Sequence, residues 1–134
     1  MNLQTPNIWA ILVAAVAAFV LGALWYSPPV FGRVWQRANA FRAGEPDKAG
    51  AATMLTAFLL TLVMSANLAL FLNDSKTTLA WGATAGFLAG FGWVTMGIGI
   101  VSIFERKPWS YVFVNGGYLT VALVVMGAIL GGWR

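Results

Sequence analysis

Polar positions in this chain come in clusters, and the stretches between them are almost purely apolar. Ile8 to Ser27, Ala52 to Leu72, Leu79 to Phe104 and Trp109 to Gly131 contain no Asp, Glu, Lys, Arg or His. Roughly 20 uncharged, mainly apolar residues are enough for a helix to cross a bilayer. The pattern therefore predicts four transmembrane helices, over about 8–27, 52–72, 79–104 and 109–131. A helix satisfies its own backbone hydrogen bonds in lipid, so the predicted fold is an all-α integral membrane four-helix bundle. A β-barrel would show short alternating segments instead. Pro28-Pro29 ends the first span and Asn73-Asp74 the second. Thr77 or Thr78 is the expected N-cap of the third, and Pro108 fits the first turn of the fourth. Span three is longer than the hydrocarbon thickness requires, which tilt accommodates.

Charge adds a direction. The chain is 60% hydrophobic and 9% charged, against about 25% charged in a soluble domain. That leaves room for one transmembrane domain over 1–134 and little else. Arg33, Arg37, Arg42 and Lys48 lie between spans one and two, and Arg106 and Lys107 between spans three and four. The other side of the membrane carries, of basic residues, only Lys76 and Arg134 beside the N-terminal amine. The positive-inside rule places the basic loops in the cytoplasm and both termini outside. A cysteine replacing Arg37 should be shielded from an impermeant thiol reagent in intact cells, and one replacing Lys76 should label; the reverse pattern would overturn this topology. The chain has no cysteine of its own, so there is no background labelling, disulfide or thiolate chemistry. Met1 to Asn7 has no basic residue, so span one is expected to be retained, not cleaved as a signal peptide.

Aromatic residues mark the predicted ends. Trp9, Trp81 and Trp133 fall near the outer ends of spans, and Trp25, Tyr26, Trp109 and Tyr111 near the inner ends, as interfacial belts do. Trp93 falls near the middle of span three, where its indole N–H needs an acceptor. It reads first as a packed core tryptophan and second as a wall of a ligand site.

An internal repeat organises the spans. AAVAAFVLGALW over 14–25 matches GATAGFLAGFGW over 82–93 in the frame Phe-x-x-Gly-x-x-Trp. Met64-Ser65-Ala66 matches Met126-Gly127-Ala128 more weakly. Two helical hairpins in the same orientation follow, related by a pseudo-two-fold axis along the membrane normal. Ala14, Ala18 and Gly22 form one row of small residues, and Gly82, Gly86, Gly90 and Gly97 form another. Such rows let helix backbones approach closely, which matters where apolar burial drives little association. The packing is expected either inside the bundle or between protomers.

The intramembrane polar set is Thr56, Thr61, Ser65, Asn67, Thr84, Thr95, Ser102, Asn115, Tyr118 and Thr120. Ser and Thr can bond their own helix carbonyls and so read as structurally neutral. Asn67 and Asn115 read as glue between helices, with a polar site or pore lining as the second reading. Asn115-Gly116-Gly117 also fits a loosened turn that exposes carbonyls. Glu105 reads as a local ion pair with Arg106 or Lys107, or as a rim carboxylate on Arg33 or Arg37. In the first loop, Phe31, Val34, Trp35, Ala38 and Phe41 follow helical spacing, with Arg33, Gln36, Arg37 and Arg42 on the other face. This predicts a short amphipathic interfacial helix ending near Gly44-Glu45-Pro46, with Arg33, Arg37 and Arg42 toward anionic headgroups.

These residues carry a resemblance. Ala14 to Phe31, with Trp25-Tyr26-Ser27-Pro28 and Phe31-Gly32, resembles the opening of a small bacterial membrane family, domain of unknown function 1761. Phe104-Glu105-Arg106 through Asn115-Gly116-Gly117-Tyr118 to Met126-Gly127-Ala128-Ile129-Leu130 resembles its closing half. The resemblance covers nearly the whole chain. It implies a four-helix protein of the bacterial inner membrane, and neither an activity nor catalytic residues.

The residue inventory argues against an enzyme. General acid–base catalysis would have to use Glu45, Asp47, Asp74 or Glu105 in loops. No zinc-type ligand cluster and no glycine-rich phosphate loop is present, so no metal or cofactor is expected. Proton-coupled transport usually places a carboxylate or His in a span. The basic balance reflects lipid headgroups, not nucleic acid. Two roles remain. One is a helix-packing structural or interaction protein, a homo-oligomer or a small subunit of a membrane complex. The other is a passive channel or transporter for a small neutral or apolar solute.

Overall fold

The computed structural model describes residues 5–39 and 50–134. Its regular elements are helices: α1 (Ile8–Trp25), α2 (Arg33–Ala38), α3 (Ala51–Phe71), α4 (Leu79–Ala89), α5 (Met96–Phe104) and α6 (Trp109–Gly132). A π-type turn at Pro28–Gly32 leads into α2, and a second at Gly90–Thr95 joins α4 to α5. The third span is therefore one composite helix, Leu79–Phe104. It and α1, α3 and α6 are long and apolar enough to cross a membrane.

Short polar side chains start two of these helices. The Asn7 side chain accepts the N–H groups of Trp9 and Ala10 at 3.0 and 3.2 Å. Thr78, not Thr77, caps the third span, accepting the Trp81 N–H at 3.1 Å. Each satisfies donors that have no partner inside the helix. Pro108 stands at the N-cap of α6, one position before its first turn. The third span closes with Lys107 N–H on the Ser102 carbonyl at 2.9 Å and Arg106 in the left-handed region at φ 58°. That is a Schellman ending with arginine where glycine is usual. Glu105 pairs with neither Arg33, Arg37, Arg106 nor Lys107 among the described residues, so both expected ion pairs are absent.

α6 is the central helix. α1 packs on one side of it and the third span on another, while α3 leans mainly on α1. Small residues set these distances. Ala10, Ala14 and Ala18 are buried in the core with Ala122, Leu123, Met126 and Leu130 of α6 and Leu68, Ala69 and Leu72 of α3. Tyr118 lies across Gly22, where a Cβ would stand 3.0 Å from the phenol oxygen. The third span meets α6 at backbone distance. A Cβ at Gly82 would strike the Gly127 carbonyl, one at Gly86 the Leu123 carbonyl, and one at Gly90 the Thr120 Cα at 2.6 Å. Gly127 and Gly131 reciprocate against Gly82 and Thr78. The glycine row is thus consumed inside the bundle.

Gly97 does not belong to that row. Nothing lies within 4 Å of the Cβ it would carry, and the same holds for Gly92. The cause is the π turn at Gly90–Thr95, which adds one residue to a helical turn. Beyond it, the face toward α6 passes to Thr95, Gly99 and Ser102, all buried. A constant period of 3.6 residues would instead have kept Trp93 and Gly97 on that face.

At the end carrying both termini, the Arg134 guanidinium donates to the Leu72 carbonyl at 2.6 Å and the Asp74 carbonyl at 2.7 Å. It satisfies a free carbonyl at the end of α3 and ties α6 to the loop between the hairpins. The amphipathic helix of the first loop is present over Arg33–Ala38, with Arg33 and Arg37 exposed and Ala38 buried. Arg42, Phe41 and the Gly44-Glu45-Pro46 ending lie outside the described residues.

Candidate functional site

Polar groups within the spans divide by what they bond. Thr56, Thr61 and Thr84 donate to carbonyls one turn back in their own helices, at 2.8 Å each. Ser65, Thr95 and Thr120 do not follow that reading. Ser65 is buried and donates to the Ile11 carbonyl of α1 at 2.9 Å. The Thr95 hydroxyl stands 2.8 Å from the Gly90 carbonyl, 3.0 Å from the Gly116 carbonyl and 2.9 Å from the Thr120 hydroxyl. With one proton it donates to one carbonyl and accepts from Thr120. It spans the π turn and docks that turn onto α6, where Gly116 leaves room: a Cβ there would meet Thr95 Cγ2 at 2.5 Å.

At the basic-loop end, aromatic side chains join α1, α2 and α6. Trp25 Nε1–H donates to the Val114 carbonyl at 2.9 Å, and its ring lies over Gly117. Phe31 packs on the same indole with centroids 4.6 Å apart. Tyr26 O–H donates to Asn115 Oδ1 at 2.7 Å, and Asn115 Nδ2–H donates to the Tyr111 carbonyl at 3.0 Å. Tyr118 O–H donates to the Ala18 carbonyl at 2.8 Å. Trp35 of α2 meets the Tyr26 ring edge-on at 5.3 Å. The two distant segments of the sequence resemblance, Trp25-Tyr26 and Asn115 to Tyr118, therefore meet in one cluster. α6 remains helical through Asn115-Gly116-Gly117. Those glycines seat side chains of other helices, and no loosened turn forms there. Asn115 is glue between helices.

Asn67 bonds no other helix. Its side chain is exposed and has no hydrogen-bond partner among the described residues. It lines a lateral groove of about 650 Å³ between α3 and the third span, with Phe71, Trp81, Leu88, Trp93 and, at the floor, Leu123. Trp93 is 72% exposed, not a packed core tryptophan, and its indole N–H has no acceptor among the described residues. Asn67 lies one turn from the end of α3 near the termini, whereas Asn115 lies in the second turn of α6 at the basic-loop end. The two asparagines do not meet.

The packing does not follow the sequence repeat between the hairpins. The predicted pseudo-two-fold axis would make the α1–α6 seam equivalent to the seam between the third span and α3. The first is closed by Trp25 seated on Gly117; the second is the open groove, with the repeat-related Trp93 on its wall. The sequence carries the reason. In the weaker match of spans two and four, Asn115-Gly116-Gly117 corresponds to Thr53-Met54-Leu55, which has no glycine to seat an indole.

Residue-type reasoning passed over Ser65, Thr95, Gly116, Gly117, Gly127, Gly131 and Arg134. One signal was present for the glycines: Gly127 and Gly131 repeat the four-residue spacing of Gly82 and Gly86, as a complementary surface would.

Fold and groove together define a polytopic, all-α membrane protein with four spans. The chain belongs to the family described as "Protein of unknown function (DUF1761)", which matches residues 9–131. No curated protein and no solved structure matches it.

Proposed function

We propose that this is a non-enzymatic structural and interaction protein of the membrane, which holds another membrane component against its lateral groove. One observation carries this reading: three of the four seams between neighbouring spans are closed and one is left open. α1–α3, α1–α6 and the third span–α6 are packed, with glycine or alanine at the contacts of the last two, while α3 and the third span leave an uncharged groove. A conducting path would need polar groups in succession through the bundle. Asn67 and Asn115 stand near opposite ends, and both the oxygen and the nitrogen of the Asn115 amide are engaged within the bundle. The exposed Arg33 and Arg37 on α2 fit anionic headgroups beside a cytoplasmic first loop in an inner membrane, with both termini outside.

Gentle extraction followed by native mass spectrometry should show the protein with a co-purifying component, whether a second copy, another polypeptide or a lipid. In liposomes, glycerol and urea fluxes should match those of empty vesicles. A flux above that baseline, abolished by Asn115→Leu, would replace this reading with the passive channel.

A further inference from the structure

The groove's shape and chemistry narrow what it can hold. Twelve residues separate Trp81 near its mouth from Trp93 at its deep end, about 18 Å at the helical rise. That is close to one leaflet of a hydrocarbon core about 30 Å thick, where a transmembrane helix of another subunit would need the full depth. The residues lining the groove are apolar except for Asn67 and the two indoles, and none carries a charge. No cation lines the groove to meet a phosphate, and no carboxylate lines it to meet an amine. Asn67 stands one helical turn below the end of α3, which in a helix spanning a hydrocarbon core of about 30 Å corresponds to the depth where lipid headgroups give way to chains. Its amide offers two donors and an acceptor, and leaving them unpaired in apolar surroundings is costly. A hydrocarbon chain alone would leave the amide unpaired, whereas a chain ending in a hydroxyl or ester carbonyl would pair it.

Resting on the reading of the groove as a holding site, we propose that its occupant is an uncharged amphiphile from the leaflet on the side of the termini. Its hydrocarbon chain runs from Phe71 and Trp81 down to Trp93, and its hydroxyl or carbonyl headgroup bonds to the Asn67 amide. Trp93 stands at the deep end. Selection between lipids comes from Asn67 and from the absence of charge, because the apolar walls accept any chain.

The test places a photo-crosslinking benzoylphenylalanine at Leu88, in the groove, or at Ile100, exposed on α5 beyond it. The protein is held in phosphatidylcholine nanodiscs containing equal amounts of a monoacylglycerol and a phosphatidylglycerol with the same 18-carbon chain. The ratio of monoacylglycerol to phosphatidylglycerol adducts should be about threefold or more higher at position 88 than at position 100, the selectivity of one hydrogen bond in a bilayer. Asn67→Leu should remove that excess without changing the melting curve, because the Asn67 side chain bonds nothing in the bundle. Equal ratios at the two positions would reduce the occupant to ordinary surrounding lipid and overturn the inference. A polypeptide adduct at position 88 in native membranes would also overturn it, while leaving the holding role intact. The holding role itself fails on a bare monomer in native mass spectrometry or on flux above the empty-vesicle baseline.

Discussion

Gly86→Leu is expected to force the third span away from α6 and cost about 3 kcal/mol or more, at or above the usual upper end for overpacked positions. The atoms that a side chain at Gly86 would meet are the Leu123 carbonyl and the Val124 nitrogen. Backbone atoms of a helix cannot rotate aside, so the helices must separate along the seam from Thr78 to Thr120. Dispersion between backbones is lost there, and lipid offers little hydrophobic driving force to restore it. The control is Gly97→Leu, on the same composite helix. That position faces open space, so the change should lie within about 0.5 kcal/mol. Reversible unfolding in mixed micelles, followed by tryptophan fluorescence, measures both. Equal destabilisation by the two substitutions would mean that the third span runs at constant period through Gly90–Thr95.

Trp25→Ala is expected to be the most damaging change at the basic-loop end, costing about 2 kcal/mol. Trp25 is only half-buried, which keeps the loss below the 3–5 kcal/mol of a fully buried aromatic. The substitution removes the ring from Gly117 and Phe31 and frees the Val114 carbonyl. Trp25→Phe keeps most of the ring and loses only the hydrogen bond, so about 1 kcal/mol should go. The repeat-related Trp93→Ala should leave the melting curve nearly unchanged, because that indole bonds nothing and is mostly exposed. Melting curves of the three variants separate packing from hydrogen bonding. They also test the broken symmetry: matched losses at Trp25 and Trp93 would mean that both seams are closed.

Several features were legible from residue order because they depend on local chemistry. Asn73-Asp74 and Pro28-Pro29 interrupt apolar runs whatever the rest of the chain does. Thr78 can cap the third span because its hydroxyl reaches a backbone N–H three residues on. Gly82, Gly86 and Gly90 share a face because the helix between them is regular. Gly97 fell off that face because a single π turn intervenes, and the turn is fixed by a contact with another helix. Thr95 bonds Gly116 and Thr120 of α6, and its residue type alone did not distinguish it from Thr84, which bonds its own helix. Asn67 and Asn115 are likewise the same residue in similar apolar settings. One lies opposite Tyr26 and the other faces a groove.

The sequence by itself determined four membrane-crossing helices, their two-hairpin plan and the small residues available for close contact. Hydropathy, capping and backbone reach act over a few residues, so they can be read in order along the chain. Tertiary structure alone decided which glycines touch backbone, which threonine crosses to another helix, and which of two related seams stays open. Those outcomes depend on rotation of one helix against its neighbour. A shift of one residue turns a helix by about 100°, enough to move a side chain from a seam to the lipid.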